Sequence, residues 1–339
     1  MPYLPTEWHP VDAVWVVPPH NPETWPGCFD QAQQQHADWC TAMQQAGINV
    51  RTPADLGIPT NDSWIRDFGP LFTFDQPTYE LQPTTYNLSI QNHTFNTWGN
   101  KYEPRPLDNA VPEKLAAALD LPLTTHDLVL EGGSIETNGH GTLLTTSACL
   151  LHPNRNPHLT QPQLEAHLQH TLGVQQIVWL PHALAGDDTD GHIDDLARFT
   201  TPNTLVAVTA HPGHPDHAAT AANLHALRQA RDLDRSPFHL LELPAPQPIY
   251  YDFPQSPQMA QPSVGSDRQP LPASYANFLL ANRHCFVPVF NQATDDPACR
   301  VLETALPNDF TVVPIPAQHL IVGLGALHCL SMQQPAPHP

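Results

Sequence analysis

A chain of 339 residues with 40% hydrophobic content is long enough to bury one large core or two ordinary ones. Its 33 acidic against 13 basic side chains give a formal net charge of −20, which excludes nucleic acid as a partner and favours small cations near the surface, although solubility alone would account for the same acidity. No apolar run approaches the ~20 residues that cross a bilayer, which excludes a membrane partner, and the first basic side chain is Arg51, so no basic leader is present and the cytoplasm is the expected location.

Forty prolines, spread along the whole chain, are more than twice the usual ~5% and predict few long helices. In chain order, "AVWVV" at 13–17 reads as a buried strand and Gln31–Gly47 as a helix. The stretch "NDSWIRDFGP" at 61–70 then sets Asp62, Arg66 and Asp67 among Trp64, Ile65 and Phe68. Charged groups in apolar surroundings are costly unless paired, so Arg66 is read as an internal ion-pair partner and Asp67 as functional. A helix over Val111–Leu119 follows. The Asn138-Gly139 pair before "GTLLTT" fits a two-residue hairpin turn, since both residues accept positive φ. Pro162–Leu172 reads as a helix and "QQIVWL" as a strand.

The segment "GDDTDGHIDDLARF" at 186–199 crowds Asp187, Asp188, Asp190, Asp194 and Asp195 around His192. Such carboxylates repel one another unless a cation or a protonated histidine sits among them. Two readings follow: a calcium-type loop, although the terminal Glu and spacing of an EF-hand are missing, or a catalytic histidine whose pKa the carboxylates raise, with Asp194 on the same side of an extended segment. After the strand "NTLVAVT", His211, His214 and His217 recur every third position, a chelating pattern that Pro212 and Pro215 interrupt. A helix over His217–Leu233, a Pro, Gln and Ser-rich loop over 245–270, a helix over Pro272–Asn282, the strand "HCFVPVF" and a helix over Pro297–Leu306 complete the series. Near the end, "GLGALHCLSMQQ" places Cys329 beside His328 and after Gly323 and Gly325, glycines that let the backbone pass close to a ligand. The last six residues, 334–339, read as an unstructured tail.

Six cysteines without disulfide or zinc spacing are read as free thiols. Alternating strands and helices define an α/β protein, and alternation alone favours a doubly wound sheet; recurrence every 50 to 60 residues or so hints at repeated modules. The three polar clusters together suggest a Cys/His/carboxylate site assembled from distant segments.

The sequence resembles the agmatine deiminase and Porphyromonas-type peptidylarginine deiminase family of the guanidine-modifying superfamily. The matching stretches are "AVWVVPPHNPETWPG", "NDSWIRDFGP", "EGGSIETNGHGTLLTT" with "CLLHPNRNP", "DDTDGHIDDLARF", "SYANFLLAN" and "GLGALHCLSMQQPAP". The resemblance implies one catalytic domain over 1–339 folded as a five-bladed α/β propeller (pentein) of ββαβ modules. It implies Cys329 as nucleophile, His192 as proton carrier, and Asp67 and Asp194 as the guanidinium clamp. Trp64, Glu131, Asp188 and Gly325 would complete substrate binding.

No metal and no organic cofactor is implied. The partner is a small cationic guanidine, and the formation of a homo-oligomer is left open. An arginine site would need a cation for the α-carboxylate, and neither Lys101 nor Lys114 lies in a family motif, whereas Asp188 suits an amine. Agmatine is therefore the expected substrate, with peptidylarginine or another small guanidine as alternative. A His-rich metal-binding protein or an inactive binding relative is the alternative of a different class. Where the family often reads Gly-Gly-Gly-Asn before its His-Cys, this chain has Gly-Leu-Gly-Ala at 323–326, so any substrate contact made by that asparagine is missing.

Overall fold

The computed structural model describes residues 2–75, 87–103, 105–253 and 269–337. Strands β1 (Pro2–Tyr3) and β2 (Val11–Val16) precede the helix Phe29–Gln45 and β3 (Val50–Arg51). The chain continues through β4 (Leu71–Asp75), β5 (Asn87–Thr94), the helix Val111–Leu119, β6 (Leu123–Val129), β7 (Glu136–Thr137) and β8 (Thr142–Thr146). The helix Gln161–Leu172, β9 (Gln176–Leu180), β10 (Ala197–Thr201), β11 (Thr204–Thr209), the helix His217–Gln229 and β12 (His239–Pro244) follow. The last elements are β13 (Leu279–Ala281), β14 (His284–Val289), the helix Asp295–Ala305, β15 (Thr311–Pro316) and β16 (Ser331–Pro335).

These strands form five small sheets rather than the single doubly wound sheet that alternation suggested. One pattern repeats in all five. A middle strand pairs antiparallel with the strand on one side and parallel with the strand on the other: β4-β5-β6, β7-β8-β9, β10-β11-β12, β13-β14-β15 and β16-β2-β3. The parallel step is always bridged by a helix, as a parallel connection requires. In the sheet β16-β2-β3 the first strand comes from the C-terminus, with Ser331 opposite Val16 and Gln334 opposite Ala13. The ends of the chain are thus joined in one ladder, and residues 334 and 335 are strand, not tail.

Middle strands are buried on both faces, which is why β2, β8, β11 and β14 read as unbroken apolar runs. The expected helix over 272–282 is instead a turn followed by β13. Phe278, Leu279, Leu280 and Ala281 are all buried there, and pairing with β14 outweighs local helix propensity. The hairpin between β7 and β8 is also wider than two residues. Gly139 and Gly141 carry the positive φ values, 65° and 83°, while Asn138 acts through its side chain, whose Oδ1 accepts from the backbone N–H of His140 and Thr142. Most of the 245–270 loop, from 254 to 268, lies outside the described residues. No helix among the described residues is long and apolar enough to cross a membrane.

The terminal ladder depends on a side-chain bond as well as its backbone. Trp15 is fully buried and its Nε1–H donates to Gln334 Oε1 at 2.9 Å. Gln334→Ala leaves that N–H unsatisfied and should cost about 1–3 kcal/mol, read as a lower urea midpoint with the specific activity of the folded fraction unchanged.

Candidate active site

The short turns that lead into the first strand of each sheet carry the polar residues singled out by sequence. Asp67 lies in the turn Ile65–Phe68 before β4, and Gly133 in the turn Gly132–Ser134 before β7. His192 and Asp194 sit at the turn Ile193–Asp195 before β10. Asn277 stands two positions before β13, and Cys329 two positions before β16. Each module therefore delivers one segment to a common centre, which is how residues 262 positions apart in sequence come to share one site: Cys329 Sγ lies 3.6 Å from Asp194 Oδ2, and His192 Nδ1 lies 3.6 Å from Asp67 Oδ1.

Gly133 is the floor of this centre. A Cβ built there would stand 2.6 Å from His192 Nδ1, 2.9 Å from Asp67 Oδ1 and 3.0 Å from Asp194 Oδ2. Three polar side-chain atoms therefore converge on the space that a side chain at 133 would take. The carboxylates are held from behind. Asp67 accepts from Trp98 Nε1 at 2.8 Å and from the Gly133 N–H at 3.1 Å. Asp194 Oδ2 meets His328 Nδ1 at 2.7 Å, and His328 Nε2 meets Glu7 Oε1 at 2.6 Å. Glu7 is in turn paired with Arg198 and with Arg66, the latter at 3.4 Å. Asn277 donates to both Asp195 Oδ1 and Cys329 Sγ at 3.0 Å and so positions the thiol.

Burial and charge set the protonation of the site. Burial and the charges of Asp194, Asp195 and Asp67 push the Cys329 thiol well above its ordinary range, against the hydrogen bond from Asn277. Burial and the Asp194 charge raise Asp67 well above the carboxylate range. For Asp194 burial works upward, but the hydrogen bond and charge of His328 bring it below that range. The expectation that carboxylates raise His192 is corrected: the ring is fully buried, and desolvation lowers it to about 3. Neither His192 ring nitrogen has a hydrogen-bond partner among the described residues.

A cavity of about 550 Å³ reaches Cys329 and Asp67, with Trp64, Trp98, Asp188 and Gly325 also in its walls. Gly325 faces the Trp64 ring, which a Cβ would approach to 2.5 Å, and Gly323 similarly faces Trp25. These glycines therefore let the backbone pass against two indoles whose centroids lie 5.4 Å apart. Asp188 accepts from Tyr102 Oη at 2.5 Å. Lys101 and Arg105 line the cavity too, but Lys101 is tied to Asp190 at 2.8 Å and to Asp188 at 3.8 Å, and Arg105 to Asp62 at 3.2 Å. Glu131 is not among the cavity-lining residues; its Oε1 receives Arg155 Nε at 2.8 Å.

The calcium-type reading of 186–199 fails because the carboxylates take separate partners. Asp187 accepts from Thr189 and from the His192 backbone, Asp190 from Lys101, Asn154 and Arg155, and Asp194 meets His328. Two trios, Glu131/Cys149/His192 and Asp194/Asp195/Cys329, bring potential ligand atoms within 4.8 Å of one another, and both are built from the catalytic centre and its backing. The His211 and His214 rings meet edge to face at 5.6 Å, and each of His211, His214 and His217 turns a ring nitrogen to a backbone carbonyl, of Pro212, Pro246 and Ala210 respectively.

The mixed α/β fold brings a buried cysteine, a histidine and carboxylates to one centre. Residues 3–335 match the Porphyromonas-type peptidyl-arginine deiminase family, and the chain belongs to that family. The agmatine deiminase of Pseudomonas savastanoi pv. phaseolicola is 34% identical over 99% of this chain and 96% of its own length. Among solved structures, the agmatine deiminase of Enterococcus faecalis superposes with a TM-score of 0.89 at 25% identity, covering 99% of this chain and 96% of that one. A Cys-to-Ser variant of the C. jejuni agmatine deiminase with substrate bound gives 0.81 at 29% identity, over 100% and 98%.

Sequence reasoning passed over Gly133, Asn277, Trp98, Glu7 and His328 as site residues. Gly133, Asn277 and His328 lie inside quoted motifs, and the pair Gly132-Gly133 beside Glu131 was the available signal for the first. Gly133→Ala should leave the fold intact and reduce kcat/KM by at least ~10² through displacement of all three groups; retention of near-normal activity with an unchanged circular dichroism spectrum would contradict this floor.

Proposed function

We propose that the chain is an agmatine deiminase, hydrolysing the guanidinium of agmatine to N-carbamoylputrescine and ammonia. One observation carries the reading: Asp67, Asp194 and Asp195 are buried around Cys329, and no Lys or Arg side chain forms an ion pair with any of them among the described residues. Such a site lacks a cation, and a planar guanidinium supplies one with hydrogen bonds directed at two carboxylates.

In this reading Asp67 and Asp194 orient the guanidinium and hold its central carbon before Sγ. The arriving cation offsets the carboxylate charges that keep the thiol protonated, so Cys329 gives up its proton as the substrate binds. The sulfur bonds to carbon, and the proton passes through His192 to the nitrogen that leaves as ammonia. A covalent thiouronium remains. Water, giving a proton to the same histidine, adds to that carbon; the C–S bond breaks, the thiol is restored and the ureido product is released. Glu131, paired with Arg155, keeps a carboxylate oxygen within 4.8 Å of a His192 ring nitrogen and backs the imidazole without a hydrogen bond to it. Asp188 receives the distal amine of agmatine, and since Lys101 and Arg105 are already engaged by carboxylates, the cavity favours an amine over the α-carboxylate of arginine.

We also infer that the five sheets are blades of one catalytic propeller closed by the β16-β2 ladder. All six cysteines are free, which supports work in the cytoplasm.

Ammonia and ureido-product release from agmatine, free arginine and a blocked arginine peptide, measured in parallel, tests the substrate. Agmatine turnover is expected; turnover of the peptide alone would assign the peptidylarginine branch. Cys329→Ser should abolish turnover with folding retained, and Asp194→Asn should cost roughly 10–10² in kcat/KM through lost charged hydrogen bonds.

Because the thiol is raised above its ordinary value of 9.0, it is neutral at neutral pH until a cation arrives. A cationic haloacetamidine should therefore alkylate Cys329 much faster than the neutral haloacetamide at pH 7.5, and the neutral reagent's rate should keep rising beyond pH 9. A neutral-reagent rate already flat near pH 7 would mean that the thiolate is preformed.

A further inference from the structure

Away from the cavity, three histidines from different elements face one another. His93 projects from β5, His126 from the neighbouring β6, and His167 from the helix Gln161–Leu172 of the next module. Their ring centroids are 4.7 Å (His93–His126), 5.3 Å (His126–His167) and 5.9 Å (His93–His167) apart. His93 is only 9% exposed, yet neither of its ring nitrogens has a hydrogen-bond partner among the described residues, and His167 Nε2 has none either. Buried polar atoms normally find partners, so the cluster is an anomaly as a packing arrangement alone.

His126 shows what the anomaly is suited to. Gln91 donates its Nε2–H to Thr73 Oγ1 at 3.1 Å, which turns its carbonyl oxygen toward His126 Nε2 at 2.8 Å. That oxygen can only accept, so His126 carries its proton on Nε2 and presents Nδ1 as a lone pair. A ring with one nitrogen anchored to an oxygen and the other free is the arrangement of a metal-ligating histidine.

We propose that His93, His126 and His167 form a binding site for one divalent transition-metal ion of the zinc type, clamping the sheet of β5 and β6 to the helix of the following module. An ion about 2.0–2.1 Å from each ligating nitrogen holds tetrahedrally disposed imidazole centroids roughly 5 Å apart; the three observed spacings bracket that value, but as the rings stand they do not bring one nitrogen each within 4.8 Å of the others. Gathering the nitrogens takes a turn of the His93 ring out of its stack on His126, where the planes lie at 25°. Burial lowers His93 to about 3 and also lowers His126 and His167, so protons do not compete for these nitrogens at neutral pH. His170 lies close enough for its charge to act on both His126 and His167 and flanks the site.

The test is a Co²⁺ and Zn²⁺ titration of the tag-free, chelator-treated full chain, following visible Co²⁺ absorption and stoichiometry by calorimetry, with thermal melts alongside. Wild type and Cys329→Ser should each bind a single equivalent and melt higher with the ion. The double variant His126→Ala/His167→Ala, altered at half-exposed positions, should keep wild-type agmatine hydrolysis, which reports its folding, and lose the equivalent. The proposal is overturned if wild type binds no ion, if the double variant binds as wild type does, or if binding disappears in Cys329→Ser, which would place the ion at the catalytic centre.

Discussion

The structure is organised around an unbalanced charge: Asp67, Asp194 and Asp195, buried beside one thiol, with no Lys or Arg ion-paired to them among the described residues. Burying an uncompensated carboxylate is among the most expensive things a fold can do, and the usual remedies are an ion pair, hydrogen bonds or protonation. Here the remedies are rationed. Asp67 receives two hydrogen bonds and is pushed upward, Asp195 receives one from Asn277 and is pushed upward, and Asp194 alone is drawn down, by His328. Asp194 Oδ1 is left without a partner. The result is a centre that a guanidinium completes and that a neutral molecule of the same shape does not.

That arrangement needs a rigid frame, because like charges held close would relax apart. The frame is a second buried network in which the arginines are fully used. Arg198, completely buried, joins Glu136 at 2.8 Å and Glu7, and donates to the carbonyls of Ala276 and Phe278 beside Asn277. Arg66 reaches Glu7, the His328 carbonyl and Gln333. These contacts link segments of different sheets, β10 to β7 through Arg198 and Glu136, and the turn before β4 to β16 through Arg66 and Gln333. The site is thus held by the same ion pairs that hold the modules together, and the cations they consume are unavailable to neutralise the centre. Fold and selectivity draw on one allocation of charge.

Cys329, His192, Asp67 and Asp194 stood out in the sequence as candidates because each sits in a short polar interruption of apolar surroundings, and the structure places the four side by side. The modular α/β organisation was legible for the same reason: buried middle strands read as apolar runs. What was not legible depends on contacts that no local pattern encodes. Trp98 reaches Asp67 only because the backbone there adopts φ 54°, ψ 46°, a left-handed conformation for an indole-bearing residue that surrounding packing must impose. Glu7 lies in an irregular N-terminal stretch and acquires its role from Arg198, Arg66 and His328, all distant in sequence. The strand at 279–281 looks helical until β14 is placed beside it, and the final strand looks like a tail until β2 is. The low pKa of His192 also required the fold, since carboxylates nearby in sequence argue for the opposite sign and only full burial reverses it.

The departure from the family pattern at 323–326 takes on a physical meaning in this setting. Leu324 has φ 73° and ψ 19°, a region in which glycine sits freely and an L side chain costs about 1–2 kcal/mol. Gly323 and Gly325 on either side are held against Trp25 and Trp64 by contacts that no side chain could share, so the segment cannot relax by shifting. The chain therefore tolerates strain at the one position of the three where a side chain has somewhere to go, and that place is the cavity wall, beside Val322 and Phe253. Placing leucine there adds apolar surface to a cavity whose walls also carry Asp67, Asp188 and Cys329. Leu324 and the acidic side chains thus share one cavity wall, which offers both apolar and anionic surface to whatever enters it.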